Sequence, residues 1–360
     1  MKYGIFNVMQ QRRDSISSTT VVQEAIDQAR VADQLGYDSC WFPEHHSTNY
    51  SLCPSPLMMV AHCAGVTERI RLGTGVIVAP LYHPMRLLAE IGFADIMSGG
   101  RLDLGIGAGY QPFEFERFGI DIKYNKEMTL ELLDLIKAGI SERSFSFDGD
   151  YFQQMKTSIS VKPFNQGVPP IWLVGSDPRF YQRAATENHA VFVSGLLGDT
   201  DKVVQTRANV NAEFRRVGRN PKDVRFALLR YAFVGRNRKD VERYAECARY
   251  QTRLAYRLAT APKDVGDDYI IKEVPFEGEP TIEELMDRLI IGDVDTCIER
   301  AVNEIRRAGV TDFVVQSKLG DLPHDLAVQS LQLWMEEVVP AIKEELAGSP
   351  PLDFIAPEDL

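Results

Sequence analysis

One strand–helix–strand unit, from residue 70 to residue 106, reads IRLGTGVIVAPLYHPMRLLAEIGFADIMSGGRLDLGI. Residues 70–78 are rich in β-branched and apolar side chains, which favours a buried strand. Residues 84–97 begin with a proline, which suits the first turn of a helix, and end before a glycine pair. Residues 102–106 are again mainly apolar. A strand, a helix and a second strand in this order are the repeating unit of a parallel sheet.

The same alternation continues on both sides of this unit. Eight apolar runs, each followed by helical sequence, predict an α/β fold: a closed (β/α)8 TIM barrel with insertions rather than an open doubly wound sheet. An Asp-Gly-Asp turn between aromatic runs predicts a small β-hairpin within residues 145–161. The predicted strands are residues 2–8, 39–42, 70–78, 102–106, 171–174, 190–193, 225–234 and 313–316. The predicted helices are residues 21–35, 56–66, 84–97, 126–140, 178–188, 200–217, 239–258, 296–308 and 325–346.

One domain is predicted over residues 1–346, because no low-complexity linker divides them. Residues 259–292 differ from the rest, since they are acidic, interrupted by Pro262, Pro275 and Pro280, and too long for an ordinary connection. We expect this insertion to be a mobile lid and not a packed element; a disordered surface segment is the alternative. Residues 347–360 contain three prolines and are expected to form a loosely packed tail.

The composition excludes several classes of protein. The chain has 360 residues, of which 44% are hydrophobic and 25% charged, and its net charge is −11. That charge disfavours a nucleic-acid or anionic-membrane partner, because both bind basic surfaces. No apolar run approaches the ~20 residues of a membrane helix, and the N-terminus lacks a signal-peptide core. Five cysteines without a CxxC pair suggest reduced thiols, so we expect a cytoplasmic protein.

The most polar strand end is Glu44-His45-His46, which follows the second predicted strand. Barrel enzymes place their catalytic groups at the carboxyl ends of the strands. Three interpretations are open for these histidines: structural hydrogen bonding, metal ligation, or acid–base work near neutral pH. Adjacent residues at a strand end point in opposite directions, so His45 and His46 do not readily bind one ion, which disfavours a metal hydrolase.

Two glycine-containing strand ends are further candidates. Residues 105–110, GIGAGY, lack the third glycine of a dinucleotide fingerprint. Either the missing side chains let a flat ring lie against the backbone, or the segment is a tight turn. In residues 175–179, GSDPR, the start of a helix and Arg179 could bind an anion; an ordinary helix cap is equally compatible, and the Asp177 carboxylate disfavours an anion.

Eight short motifs occur in a fixed order along residues 1–345. They are MKYGIF (1–6), WFPEHH (41–46), LGTGV (72–76), HP (83–84), GGRL (99–102), GIGAGY (105–110), FG (118–119) and VVP (338–340). In this order they resemble the bacterial luciferase-like flavin-dependent monooxygenase family. The resemblance implies a (β/α)8 barrel with a mobile insertion late in the chain, where residues 259–292 fall.

The family also implies a chemistry and partners. Reduced FMN (FMNH2) would bind at the barrel mouth and react with O2 to give a C4a-peroxide that oxygenates a small organic substrate. A separate flavin reductase would supply the FMNH2. The chain would form a homodimer, or a heterodimer with a related chain.

The resemblance assigns roles to residues by their position in the motifs. His45 matches the catalytic histidine of the family, and His46 matches its neighbour. Thr74 and Gly75 match the backbone beneath the isoalloxazine, where the family often has a non-prolyl cis peptide. Phosphate binding falls to Ser176, with Arg179 and Lys126 beside it. The full set of implied cofactor contacts is Phe6, Thr74, Gly75, Gly107, Tyr110, Lys126, Gly175, Ser176 and Arg179.

Two alternatives remain open within the same fold. One is an oxidoreductase that uses the deazaflavin F420 as a hydride carrier, without O2 chemistry. The acidic tail of F420 would require more cationic side chains around the mouth than the sequence identifies. The other is a non-catalytic flavin-binding partner subunit, although such chains tend to lose the active histidine or the lid, and this one keeps His45 and residues 259–292.

Overall fold

A parallel barrel forms the centre of the computed structural model, which describes residues 1–260 and 268–348. The strands are β1 (Lys2–Phe6), β2 (Ser39–Phe42), β3 (Arg71–Thr74), β4 (Ile77–Val78), β5 (Leu102–Gly107), β6 (Phe145–Asp148), β7 (Gln153–Thr157), β8 (Ile171–Val174), β9 (Ala190–Ser194), β10 (Phe226–Val234), β11 (Ile290–Gly292) and β12 (Asp312–Gln316). Eight of them pair in the order β10-β12-β1-β2-β3-β5-β8-β9, and β9 pairs with β10 to close the barrel. The predicted fold class is therefore confirmed.

The helices surround the barrel, and the first of them is capped at both ends. Ser17 caps the first helix with its hydroxyl, and Gly36 ends it in the left-handed region with φ +85°. The helices are α1 (Ser18–Leu35), α2 (Pro56–Ala64), α3 (Pro84–Met97), α4 (Pro112–Phe118), α5 (Asn125–Ser141), α6 (Pro178–Glu187), α7 (Thr200–Arg216), α8 (Arg238–Thr260), α9 (Ile282–Arg288), α10 (Val294–Ala308), α11 (His324–Leu333) and α12 (Val339–Leu346). The predicted hairpin is confirmed as β6 and β7.

Two predicted elements are interrupted. The strand predicted at residues 70–78 breaks after Thr74, where the Gly75–Val76 peptide bond is cis and β4 continues beside β5. The helix predicted at residues 325–346 is split by a π-helical turn at Trp334–Val338. Pro340 follows directly in α12 and lacks the N–H that a regular helix would require, which accounts for the wider turn.

The prediction that residues 259–292 contain no packed element is wrong for their last part. Residues 282–292 form α9 and β11, which pairs with the end of β10, and Leu285, Leu289 and Ile290 are buried. The apolar spacing was hidden by the acidic residues on the exposed side of α9. Residues 261–267, and residues 349–360 of the predicted tail, lie outside the described residues.

The barrel interior is closed on the amino side by aromatic packing. Trp41 and Trp172 meet edge to face with ring centroids 5.3 Å apart, and Phe192 packs against both. Gly73 makes room for this cluster, because a Cβ there would overlap the Trp41 ring. The five cysteines are free and buried, as expected of packing thiols. In the described parts of the chain, no helix combines the length and apolarity needed to cross a membrane.

Candidate active site

A cavity of about 410 Å³ opens at the carboxyl ends of the barrel strands. Its size is that of a small-molecule site, which in proteins measures about 300–1,000 Å³. Most of the residues singled out in the sequence line it, but His46, Thr74 and Arg179 do not. Those that line it are Phe6, His45, Gly75, Gly107, Tyr110, Lys126, Gly175 and Ser176.

His45 is held by a buried carboxylate. Its Nδ1 lies 3.1 Å from Oε1 of Glu114, a residue in the first turn of α4 whose exposed fraction is 1%. The same oxygen accepts the backbone N–H of His46 at 2.7 Å. Because Glu114 occupies Nδ1, Nε2 is the ring nitrogen that remains available to the cavity.

His46 does not line the cavity and lies in the irregular segment that follows β2. Its Nε2 lies 2.9 Å from Oε1 of Glu44. The second oxygen of Glu44 accepts the Val78 N–H at 2.9 Å and the Tyr82 hydroxyl at 3.0 Å. Burial raises the pKa of Glu44, although these hydrogen bonds oppose the shift. His46 therefore belongs to a structural hydrogen-bond network behind the site, and no three ligating side chains in the described residues converge to hold a metal.

Tyrosine side chains surround the exposed edge of His45. The Tyr50 ring meets the imidazole edge to face at 4.7 Å, and the Tyr110 hydroxyl donates to the Tyr50 hydroxyl at 3.1 Å. Burial raises the pKa of Tyr50 well above its ordinary value, and burial also raises the pKa of Tyr110. Both phenols thus stay protonated, and because the Tyr110 proton is used in the bond to Tyr50, the Tyr50 hydroxyl keeps its own proton for a hydrogen bond at the cavity.

The glycines in β5 and directly after β3 serve two purposes. Gly105 is required for packing, because a Cβ there would overlap the Thr74 carbonyl oxygen. Gly75 and Gly107, by contrast, line the cavity. A Cβ on Gly75 would lie 2.8 Å from the Phe6 ring and one on Gly107 3.1 Å from Val76, so these positions present bare backbone. The interpretation of this strand end as a surface for a flat ring stays a prediction.

The anion end of the cavity is only partly as predicted. Ser176 and Lys126 line it, but so does Asp177, whose Oδ2 lies 3.6 Å from the Lys126 Nζ. The Arg179 guanidinium turns outward: it bonds both oxygens of Asp177 at 2.9 Å and Glu127 at 2.7 Å. These bonds to Arg179 lower the pKa of Asp177 to about 2. The Arg179 guanidinium is therefore occupied by carboxylates and does not line the cavity.

A second cavity of about 500 Å³ adjoins the first and shares Tyr50, Ser176 and Phe192 with it. Its one lining cation among the described residues is Lys202, whose Nζ lies 2.8 Å from Asp199.

Several site residues were missed in the sequence. Glu114 lies in α4, which was not predicted, although Pro112 and an early glutamate are the usual signals of a helix start. Tyr50, Gln251 and Gln316 also line the cavity, and they come from a loop, from α8 and from the end of β12. No local pattern distinguishes these three from ordinary buried polar residues.

Comparison with known protein families identifies the family of this chain. The family model described as luciferase-like monooxygenase matches residues 1–312. The chain belongs to the luciferase-like monooxygenase family.

Two relatives match nearly the whole chain. An uncharacterised Sinorhizobium fredii protein, y4vJ, is 36% identical over 97% of this chain and 99% of its own length. The oxygenase component of the flavin-dependent trigonelline monooxygenase of Acinetobacter baylyi is 28% identical over 96% of each chain.

Solved structures share the fold. The oxygenating constituent of 3,6-diketocamphane monooxygenase from Pseudomonas putida, in complex with FMN, has a TM-score of 0.78 and 22% identity, and covers 94% of this chain and 98% of its own. An F420-dependent secondary alcohol dehydrogenase has a TM-score of 0.73 and 18% identity, over 95% and 98% of the two chains. The fold therefore accommodates FMN in one protein and F420 in another.

Proposed function

We propose that this chain is a monooxygenase that uses reduced FMN and O2 to oxygenate a small organic substrate. The observation that carries the proposal is the His45–Glu114 pair, which presents one imidazole nitrogen to a cavity lined on one side by bare glycine backbone. The family and the A. baylyi relative, whose name states flavin dependence, support the same reaction class.

The residues present fit FMN. Gly75 and Gly107 leave a flat surface for the isoalloxazine ring, and Phe6 closes the cavity beside it. Ser176 and Lys126 form the end that suits a phosphate, whereas the Arg179 and Phe180 N–H groups at the start of α6 are already bonded to Asp177. The longer acidic tail of F420 fits less well, because the cations lining the two cavities in the described residues are Lys126 and Lys202, and each is paired with an aspartate.

When bound, reduced FMN supplies the electrons that activate O2. The protein positions the reactants and holds or transfers protons. His45 holds or donates a proton at Nε2, because Glu114 fixes the ring through Nδ1. The Tyr110 hydroxyl donates to the Tyr50 hydroxyl beside it, which leaves the Tyr50 proton for a bound group, and the apolar walls keep water from the reacting groups. His46 has no contact with the cavity and acts as a structural residue.

We also propose that the lid includes residues 268–281. The described part docks on the loop that follows β2: the backbone N–H of Asn49 donates to the Tyr269 carbonyl at 2.8 Å, and its side chain accepts from the Ile271 N–H at 2.9 Å. Asn49 is fully buried and precedes Tyr50, which contacts His45. Docking of this segment is thus linked through Asn49 to Tyr50, which contacts His45.

Ion pairs hold the same segment along α8. Arg253 bonds Glu279 at 2.6 Å and Glu273 at 3.1 Å, and Arg12 bonds Glu273 at 2.6 Å. Phe276 stacks on Tyr256 with centroids 4.1 Å apart. These contacts are few and partly exposed, as in elements that open below the global unfolding energy.

The proposed partners are a separate flavin reductase, as the relative's designation as an oxygenase component suggests, and a second related chain. An apolar patch on α2 and α3 supports a dimer: Met58 is 72% exposed and Phe93 58%, with Ile96 and Met97 beside them. Phe93→Glu should convert a dimer to a monomer in light scattering after gel filtration. A cytoplasmic location is proposed from the free cysteines.

The deciding experiment is a titration of the purified protein with FMN, FMNH2 and F420, followed by turnover of FMNH2 with aldehydes, ketones, sulfides and heteroaromatics under ¹⁸O2. Binding of FMNH2 and incorporation of one labelled oxygen into a product would support the proposal. Tight F420 binding without FMNH2 binding would assign the F420 alternative. Binding of FMNH2 with no oxygenated product and no oxygen uptake would assign a non-catalytic subunit.

A further inference from the structure

The wall of the first cavity divides into a charged and an uncharged half. The charged lining residues follow β2, β5 and β8, which together with β3 are consecutive in the barrel. The other half is formed by β9, β10, β12 and β1, and the lining residues that the structure describes there are all uncharged. The charged set is Glu44, His45, Glu114, Lys126 and Asp177.

On the uncharged half, Gln316 is a buried amide with an unused donor. It is the last residue of β12, its exposed fraction is 1%, and its Nε2 has no hydrogen-bond partner in the described residues. Gln316 lines the cavity. Native proteins pair nearly all buried N–H groups, so an unpaired donor on a residue that lines a cavity points to a ligand atom as its partner.

Another glutamine on the same wall shows the contrast. Gln251 also lines the cavity, but its Oε1 accepts from the Gln10 side chain, and it hydrogen-bonds the Tyr50 and Tyr231 hydroxyls. Its amide is therefore used within the protein. Gln316 is left as the amide donor available for recognition.

The surroundings of Gln316 define the class of ligand. β12 lies between β10 and β1, which bring Leu229, Phe6 and Val8 to the same wall. An apolar molecule suits this wall, and an acceptor oxygen on it suits the amide. A carboxylate would be disfavoured, because the wall offers it no cation among its described residues.

We propose that the uncharged half binds the organic substrate, and that this substrate is an uncharged, mainly apolar carbonyl compound whose oxygen accepts a hydrogen bond from Nε2 of Gln316. The inference rests on the proposed function, which places FMN against the glycines of the other half. Gln316 is then a specificity-determining residue of the same site.

The test compares two probes that differ by one group. Acetophenone and ethylbenzene have nearly the same shape, but the first has a carbonyl where the second has a methylene. Their dissociation constants are measured by calorimetry with the FMN-loaded protein, in the parent, in Gln316→Met and in Gln28→Met. Gln28 is a buried glutamine of α1 that does not line the cavity, so its variant controls for the loss of a buried amide.

We expect the parent and Gln28→Met to prefer acetophenone by about tenfold, and Gln316→Met to lose that preference with FMN affinity unchanged. Equal affinity for both probes in the parent, or a preference that survives in Gln316→Met, would overturn the inference. Weakened FMN binding with the preference intact would also overturn it and assign Gln316 to the flavin. If Gln316→Met does not fold, Gln316→Asn, which withdraws the amide by one methylene, is read in the same way. Failure of the parent to bind FMN would refute the proposed function instead.

Discussion

Glu114 and His45 form a buried pair, with Oε1 of the carboxylate 3.1 Å from Nδ1 of the imidazole. The two residues come from different units of the barrel, because His45 follows β2 and Glu114 lies in the first turn of α4, after β5. This separation fixes the imidazole between two rigid elements and directs Nε2 to the cavity.

We expect His45→Gln to lower product formation by about 10²–10⁴-fold, the usual contribution of one acid–base group. Oxygen uptake should persist and appear as hydrogen peroxide. His62→Gln, on α2 and away from the cavity, should retain both activity and coupling. Thermal unfolding checks the alternative: if His45→Gln melts far below the parent and His62→Gln does not, the residue is structural.

Glu114→Gln tests the positioning role separately. The amide keeps the shape and can accept the His46 N–H, but it no longer carries the charge that orients and stabilises the imidazole. We expect kcat for product formation to fall while FMN affinity stays unchanged. A kcat equal to that of the parent would contradict this role.

At the anion end we expect opposite effects from two substitutions. Lys126→Met should weaken FMN binding by about 1.5–3 kcal/mol, the usual contribution of a hydrogen bond to a charged group. Asp177→Asn should strengthen it, because Asp177, with its pKa of about 2, is negatively charged throughout the neutral range. Asparagine caps α6 as well as aspartate does.

Lys123→Met is the matched control, since Lys123 pairs with exposed Asp121 and does not line the cavity. Fluorescence quenching of FMN measures all three affinities. Weaker binding in Asp177→Asn would place the phosphate elsewhere.

Asn49→Ala should release the described part of the lid. Removing the side chain leaves the Ile271 N–H without its partner, at a cost of about 1–3 kcal/mol if it stays buried. We therefore expect trypsin to cleave after Lys272 faster than in the parent, and oxygen use to be less well coupled to product. Asn220→Ala, at an exposed cap, should resemble the parent. A parent-like cleavage rate in Asn49→Ala would exclude the proposed link.

Gly73→Ala should destabilise the barrel by about 1–3 kcal/mol, because overpacking forces the Trp41 ring or the strand to move. Gly65→Ala is the control: Gly65 has φ −77°, a conformation that alanine adopts readily, so the free energy of unfolding should be equal or higher. Denaturant unfolding of both variants gives the comparison. Equal stability of Gly73→Ala and the parent would show that the Trp41 cluster is loosely packed.

The barrel could be predicted from the sequence because its strands are buried on both faces and read as short apolar runs. The strand ends then located His45, Gly75, Gly107 and Ser176. Elements with mixed polarity were not recovered: α4 is seven residues long, and α9 carries acidic residues on its exposed side. Short helices give too few turns for their periodicity to be recognised.

The carboxylate partners of Arg179 could not be predicted, for a different reason. Its place at the start of α6 suggested an anion site, but Glu127 comes from α5, and only the folded chain brings that carboxylate within 2.7 Å. The same holds for Glu114 and for Gln316, whose partners or lack of partners depend on distant strands. Local sequence gives the position of a side chain on an element, whereas its hydrogen-bond state is a tertiary property.

The two halves of the cavity wall correspond largely to two consecutive parts of the chain. All four strands of the charged half precede Pro178, whereas three of the four strands of the uncharged half follow Glu187. A single recombination event within α6 would therefore exchange most of the uncharged wall between two relatives while leaving His45, Glu114 and the glycines in place. Chimeras joined in this helix are a direct route to new substrate ranges, and β1 is the one strand that such a crossover leaves behind.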